Sequence, residues 1–583
     1  MLRFFQLFLY CLKVIFKKFI FKEKFLGSNN IRWFPLTKNG HELEGFSKPF
    51  LNNHITKKSY FVRFFNTNFE KLDLINFVLD FGKDFLFKYE ILEAKTEKNI
   101  SNLNYDEDFL LPIASFSKKN EHIKINYKDI AILPNKFIYL PCKKKKDYEI
   151  KSEKNILIGS PLFLKNNNRN KYRLVISLFV DGLSFLKLGE TDFENYCPNI
   201  KRYFQSGARF RNNFCNAEWT LPSYPSHFTG LRQQNHGFYN NKKPHLFRND
   251  IKVLPELFQE KGYNTLFLNS SPRANPKYGY VRGFNRTIHK IGYSFEEICN
   301  DLDEHLSIFN NRDNFVLINL NELHLSDKTL PSFFNQSKLK LNYLNKFYRK
   351  GLTSKSQIKE KSYDYDETEV EKYLIELNRI DRIFERFLSI IKNYAKDEEI
   401  LISLITDHGN PFTEKTNDLL SKNRMQVPWM INSKDIKSQD IYDFTENVDS
   451  FLSMIKLCDL NPDGNKNANF KNHFSGENFT DCILPKCFGG GKKRDFVFIQ
   501  SIYDRDPYFA KVLDNEIEYT LTSDRISEKG TINIDKIKKE VKISNKDIND
   551  NSDKIKKYEK FCLEQINNWN VSIKENKFKF YEN

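Results

Sequence analysis

Four short apolar runs recur between residues 172 and 406: RLVISLFV (173 to 180), NTLFLN (264 to 269), FVLINL (315 to 320) and EILISLIT (399 to 406). Each has the length of a buried strand, and helical segments separate them. One of these, EVEKYLIELNRIDRIFERFLSIIKNY, sets Leu374, Leu377, Ile380, Phe384, Phe387 and Ile391 on a single face, the stripe of an amphipathic helix. Buried strands alternating with helices predict an α/β domain with a mostly parallel sheet flanked by helices.

At 583 residues the chain is too long for one core. Residues 1–30 read as an amphipathic segment and 40–165 as a β-rich, sandwich-like accessory domain, on runs such as YFVRFF, FLLPIASF and NILIGSPLFL. Residues 172–490 form the α/β domain, which strands and a Lys-rich helical tail in 491–583 complete. The N-terminus mixes Phe, Leu and Ile with Lys13, Lys17 and Lys18, so its apolar run is too short to span a bilayer. No small-residue cleavage site follows it. It reads as a helix contacting a membrane interface through residues 1–26, or as a helix packed on the protein. A cytoplasmic location, or a peripheral one at a membrane, is the expectation.

The 92 Lys+Arg against 75 Asp+Glu give a formal charge of +17, which favours anionic partners: phosphate esters, acidic glycans or an anionic membrane surface. No zinc-finger, RNA-binding or helix-turn-helix signature accompanies that charge, so no nucleic-acid partner is expected. Nine cysteines without a CxxC pair indicate no disulfide framework. The run Lys143 to Lys146 reads as a solvated loop, with anion binding as the alternative.

Two of the apolar runs end in acid. RLVISLFV leads into Asp181-Gly182, and EILISLIT into Asp407-His408-Gly409. In open α/β sheets ligands gather at the carboxyl ends of strands, so these groups can converge. Carboxylates with one imidazole suit a hard or borderline divalent cation. Between them lies NAEWTLPSYPSHFTG (216 to 230), rich in hydroxyls, where Thr220 precedes a Leu-Pro-Ser turn and reads either as a helix cap or as a nucleophile at a helix mouth.

The ordered set LFVDGLSF, CPNIKRYFQSGARFRNNFCNAEWTLPSYPSHFTGLRQQNHG, NELHL, YLIELNRIDRIFERFL, ITDHGNPF, VPWMI and FSGEN resembles the alkaline-phosphatase superfamily, in its sulfatase-like and phosphoryl-transferase branches, over residues 172 to 480. The resemblance implies that Asp181, Thr220, Asp407 and His408 ligate one divalent metal ion (Mn, Zn, Ca or Mg) and that Thr220 is the nucleophile. It implies that His324 contacts substrate oxygens or protonates the leaving group, and that His473 reaches the substrate from the C-terminal side. Glu322 would serve only a second metal, and the Asp and His four apart that two-metal members supply are missing at 319 to 327. His227 reads as a cap or core residue and His236 as a turn former.

Sulfatases carry C/S-x-P-x-R, whose Cys or Ser becomes formylglycine. This chain has Thr220-Leu221-Pro222-Ser223-Tyr224, which lacks both the convertible residue and the Arg. The resemblance therefore implies phosphodiesterase or phosphoryl-transferase chemistry on a glycan or lipid-linked phosphoester. The alternatives are a sulfate-ester hydrolase with an altered nucleophile and a non-catalytic glycan-binding protein on the same fold.

Overall fold

The structure is a computed structural model. It describes residues 51–53, 58–64, 88–116, 120–133, 136–165, 169–185, 193–239, 245–248, 251–274, 276–325, 367–416, 418–460, 482–503, 507–524, 526–527, 530–544, 551–575 and 577–580. The N-terminal amphipathic segment and His473 lie outside the described residues.

The central sheet is built from β1 (Tyr89–Leu103), β2 (Leu174–Val180), β3 (Asn264–Asn269), β4 (Arg286–His289), β5 (Asn314–Leu320), β6 (Ile400–Ile405) and β7 (Trp429–Asn432). Their spatial order is β1-β4-β3-β5-β2-β6-β7, parallel from β4 to β6 and antiparallel where β1 and β7 join; Lys58–Phe64 pairs beyond β1 and Ala208–Phe210 beyond β7. All seven residues of β2 are buried, because helices cover both faces of the sheet. The helices are α1 (Thr220–Thr229), α2 (Phe295–Ile308), α3 (Glu367–Lys392), α4 (Asp449–Leu457) and α5 (Ser552–Lys574).

Successive residues of a strand face opposite ways, and β2 divides its side chains accordingly. Val175 and Phe179 meet Leu221, Tyr224 and Phe228 of α1 and Phe451 of α4. Ile176 and Leu178 meet Ile298 and Leu302 of α2 and Leu377, Phe384 and Phe387 of α3. The apolar stripe of α3 expected from its periodicity is thus the surface that packs. β2 sits between β5 and β6 with Val180 level with Leu320 and Phe179 level with Ile405, so three strands deliver their carboxyl ends to one rim.

The strands of residues 89–159 enclose a core of Phe109, Leu111, Ile113, Ile123, Ile150, Ile156 and Ile158. They are continuous with the central sheet through β1. Its first residues pair with β4, and Ala94 onward pairs with Tyr148–Gly159. At the other end of the chain, Val497–Ser501, Tyr508–Leu513, Ile517–Ser523 and Ile537–Ile543 form an antiparallel meander. Helix α5 covers it with Tyr558, Cys562, Ile566 and Trp569. The described cysteines are free, and among the described residues no helix is long and apolar enough to cross a membrane.

A buried ionic network fastens this C-terminal layer to the segment before α1. Arg232 grips Glu446 bidentately at 3.0 and 2.8 Å, Arg494 lies 3.4 Å from Glu446 and bonds Asp449, and Asn216 donates to Glu446 at 2.7 Å. Burial raises the Glu446 pKa, but Arg232 and Arg494 more than offset it and the group sits below the usual carboxylate range. Replacing Glu446 by Gln leaves two buried guanidinium groups short of charge, a loss of about 3–5 kcal/mol. Equilibrium denaturation should show that loss as a lower midpoint with an unchanged slope.

His289 and His305 are buried, and burial holds their pKa values at about 4 and about 3. The unfolded chain takes up protons on these rings below roughly pH 6.5 that the folded chain refuses, so the stability they contribute falls as pH drops from there towards 4. On going from pH 7 to pH 5, His305→Gln should therefore shift its melting temperature less in the downward direction than the unmodified protein, while Glu322, raised to about 7 by burial, acts with the opposite sign.

Candidate metal centre and nucleophile

Asp181 follows the last residue of β2, and its N–H donates to Leu320 O at the end of β5 (2.8 Å). Gly182 next to it has φ +77, and a Cβ there would stand 2.9 Å from Asn410 Nδ2, so only glycine lets the chain turn this closely. Asp407 and His408 stand two and three residues past the end of β6. Thr220 is the first residue of α1, after an extended Trp219.

These four groups converge. Ligand atoms of Asp181, Asp407 and His408 all lie within 4.8 Å of one another. Thr220 Oγ1 stands 3.3 and 3.5 Å from the two Asp181 oxygens and 3.4 Å from His408 Nε2. His408 Nε2 is 3.3 Å from Asp407 Oδ2. All four residues are at most 2% exposed.

Neighbouring groups fix each one. Asp407 Oδ1 accepts from the N–H groups of Gly182 (3.1 Å) and His408 (3.0 Å) and from Thr406 Oγ1 (3.3 Å). Ser223 of α1 donates to Asp407 O at 2.7 Å, which ties α1 to the loop after β6. Tyr373 of α3 accepts from Ser184 N and donates to Gly182 O. His408 Nδ1 lies 2.9 Å from Gly409 O, a contact that requires the proton on Nδ1 and leaves Nε2 bare.

The electrostatics follow from crowding. Burial first, then the nearby Asp407, raises the Asp181 pKa well above the usual carboxylate range. Burial lowers that of His408, so its imidazole is neutral. Asp407 Oδ2 accepts no hydrogen bond, and it faces the lone pair of His408 Nε2. Two carboxylates and an unprotonated ring nitrogen aimed at each other in a dry site repel, and a divalent cation between them is the group this donor set fits.

The other expected residues fall in different places. His324 lies on the helical turn Glu322–Leu325, just beyond β5 and beside the Asp181 strand, although its side chain is outside the described residues. Glu322 accepts from Phe295 N (3.3 Å) and pairs with Arg379, which also binds Glu296 and Glu376, so it braces α2 against α3. His227 is buried between Ser177 Oγ (3.1 Å) and Ser450 Oγ (2.6 Å), a packing position within α1. His236 accepts from Phe238 N at 3.1 Å and shapes a turn. Tyr224, standing where sulfatases have Arg, packs edge-on against Phe179 at 4.3 Å.

Two cations beside the centre escaped the sequence reading. Arg273 follows β3 and lies over the Trp219 ring at 5.5 Å, and its charge acts on Asp181 and His408. Arg424 is buried, donates to Glu218 O at 2.9 Å and also acts on His408. Arg273 follows a buried strand in SSPRANPK, so the strand-end rule that found the acids reaches it; Arg424 has no such signal.

Residues 173–460 match the family model for sulfatases. They are a sulfatase-family domain of the alkaline-phosphatase superfamily. Among solved structures, a 2-O GAG sulfatase is similar at 14% identity and TM-score 0.48, over 71% of this chain and 95% of that one. The phosphonate monoester hydrolase of Agrobacterium radiobacter is similar at 13% identity and TM-score 0.46, over 69% and 96%. No curated protein matches the sequence.

Removing one carboxylate from the crowded pair separates metal binding from stability. Asp181→Asn should lose the tightly held divalent ion, measured by elemental analysis after dialysis. In chelator it should melt higher than the unmodified protein, because the repulsion with Asp407 is gone.

Proposed function

We propose that this chain is a metal-dependent phosphodiesterase or phosphoryl transferase in which Thr220 is the nucleophile, acting on a phosphoester of an anionic glycan or lipid head group. The observation that supports this reading is Thr220 itself. It is a hydroxyl that cannot become formylglycine, and it stands within 3.5 Å of Asp181 and His408 at the mouth of a helix.

The residues divide the work. The Thr220 hydroxyl donates towards Asp181 at 3.3 Å, which orients its oxygen for attack and offers its proton a carboxylate acceptor. The first-turn N–H groups of Thr220 and Leu221 have no partner within α1, and they meet the oxygens that gain charge as the Thr220 oxygen attacks phosphorus. Arg273 adds positive charge at the same rim. His324, on its turn past β5, protonates the departing oxygen. A bound divalent cation supplies the charge that favours the alkoxide and polarises the ester oxygen. Water or an acceptor hydroxyl then releases phospho-Thr220, and this second step alone distinguishes hydrolase from transferase.

A second reading, hydrolysis of sulfate esters, draws support from the sulfatase family match. Cleavage of bis-p-nitrophenyl phosphate with added Mn2+, Zn2+, Ca2+ or Mg2+ tests the two. Thr220→Ala should lower turnover by about 10³-fold or more, and Thr220→Ser should keep most of it. Turnover of p-nitrophenyl sulfate without any of the diester would establish the second reading and overturn the first.

A further inference from the structure

The amino-terminal sheet presents a feature that the catalytic centre does not use. Strands Glu121–Ile125 and Lys128–Ile132 are joined by the two-residue turn Asn126-Tyr127, with φ 45 and 69. A turn of this type ordinarily takes glycine at its second position, and a tyrosine held left-handed there costs stability. The ring gains no burial in exchange. Tyr127 is 87% exposed, the most exposed large apolar side chain among the described residues.

The turn is nevertheless fixed. Asn126 N donates to Glu149 O at 3.0 Å, its Oδ1 accepts from Glu149 N at 2.7 Å, and its Nδ2 donates to Asp147 O at 2.9 Å. Those bonds fasten it to the end of a second stapled turn, the lysine run. Lys143 N donates to Tyr148 Oη (2.7 Å), Lys144 N to Asp108 Oδ1 (2.8 Å) and Lys145 N to Tyr105 O (2.8 Å). Lys145 is itself left-handed, at φ 54.

Three acids of this surface are engaged, and Asp129 stands across the hairpin from Lys124. Asp108 pairs with Lys143 at 3.3 Å, Glu149 with Lys151 at 2.7 Å, and Asp147 accepts from Asn104 at 2.8 Å. The ammonium groups of Lys144, Lys145 and Lys146 are exposed and form no ion pair among the described residues. A strained, rigid, solvent-facing ring next to uncompensated lysines is stability given up for an exposed shape.

We propose that Tyr127 and the Lys144–Lys146 loop form a docking site for an anionic glycan chain, the ring taking one face of a sugar and the lysines its sulfate or phosphate esters. This rests on the glycan reading of the substrate and makes the amino-terminal sheet the part that holds the polymer while an ester enters the centre. A single exposed ring suits one sugar; single-stranded nucleic acid uses a succession of rings.

The test is titration of a heparin-derived octasaccharide into the full-length Thr220→Ala protein, so that binding is read without turnover. Tyr127→Ala and the triple change of Lys144, Lys145 and Lys146 to Gln should each weaken binding by about tenfold or more. A control, Lys556→Gln with Lys560→Gln on α5, should bind as the parent. In the Thr220-intact background, Tyr127→Ala should cleave bis-p-nitrophenyl phosphate at the unmodified rate. Tyr127→Gly should melt higher than the parent and still lose the octasaccharide. Equal losses in the α5 control, unchanged affinity in Tyr127→Ala, or Tyr127-dependent binding of oligo-dT tighter than that of the octasaccharide would each overturn the proposal. Failure of the catalytic reading alone would appear as inactivity on small diesters with octasaccharide binding intact.

Discussion

Two carboxylates and an unprotonated imidazole nitrogen, shut away from water and facing one another, are the constraint around which the catalytic domain is arranged. Asp181, Asp407 and His408 Nε2 crowd a space that excludes solvent, and burial together with the nearby Asp407 raises the Asp181 pKa well above the usual carboxylate range. An isolated loop would swing such groups apart. Here β2 and β6 are adjacent parallel strands in fixed register, and both acids emerge at the same rim. The sheet imposes the proximity, and the donor set gains from it only with a cation at its centre.

Holding that geometry requires support from several layers. Helix α3 reaches the Gly182 carbonyl through Tyr373, helix α1 reaches the Asp407 carbonyl through Ser223, and Arg379 ties α3 to the turn that carries His324. The network of Arg232, Glu446, Arg494 and Asp449 joins the C-terminal meander, through Phe498 N on Glu446, to both flanks of α1, Asn216 before it and Arg232 after it. A buried network of this kind adds little net stability compared with an apolar core, but it admits few alternative packings. The position of Thr220 thus depends on residues from widely separated parts of the chain.

The fold and the centre were legible to different depths. Fully buried strands ending in Asp-Gly and Asp-His-Gly mark themselves, because apolar runs of strand length and abrupt acids are local signals. Thr220 could be singled out only in company, since a threonine before Leu-Pro-Ser is equally a helix cap. Arg232 and Glu446 are 214 residues apart, and nothing in either neighbourhood announces the other. Arg424 was missed for the same reason: a lone cation in a polar stretch has no period. Tyr224 could be read as the absence of an arginine, but its role as a core ring against Phe179 depends on tertiary packing.

The fifteen-residue strand β1 belongs to two sheets at once, since its first part lies between β4 and Lys58–Phe64 in the central sheet while the remainder builds the amino-terminal sheet. Cutting the chain near residue 165 would therefore not release a finished catalytic unit. It would strip β4 of a hydrogen-bonded neighbour and lay open a row of unpaired amides next to Ile288, a template for association with other chains. The accessory strands thus act as a selvedge, keeping the central sheet from joining edge to edge with its own copies.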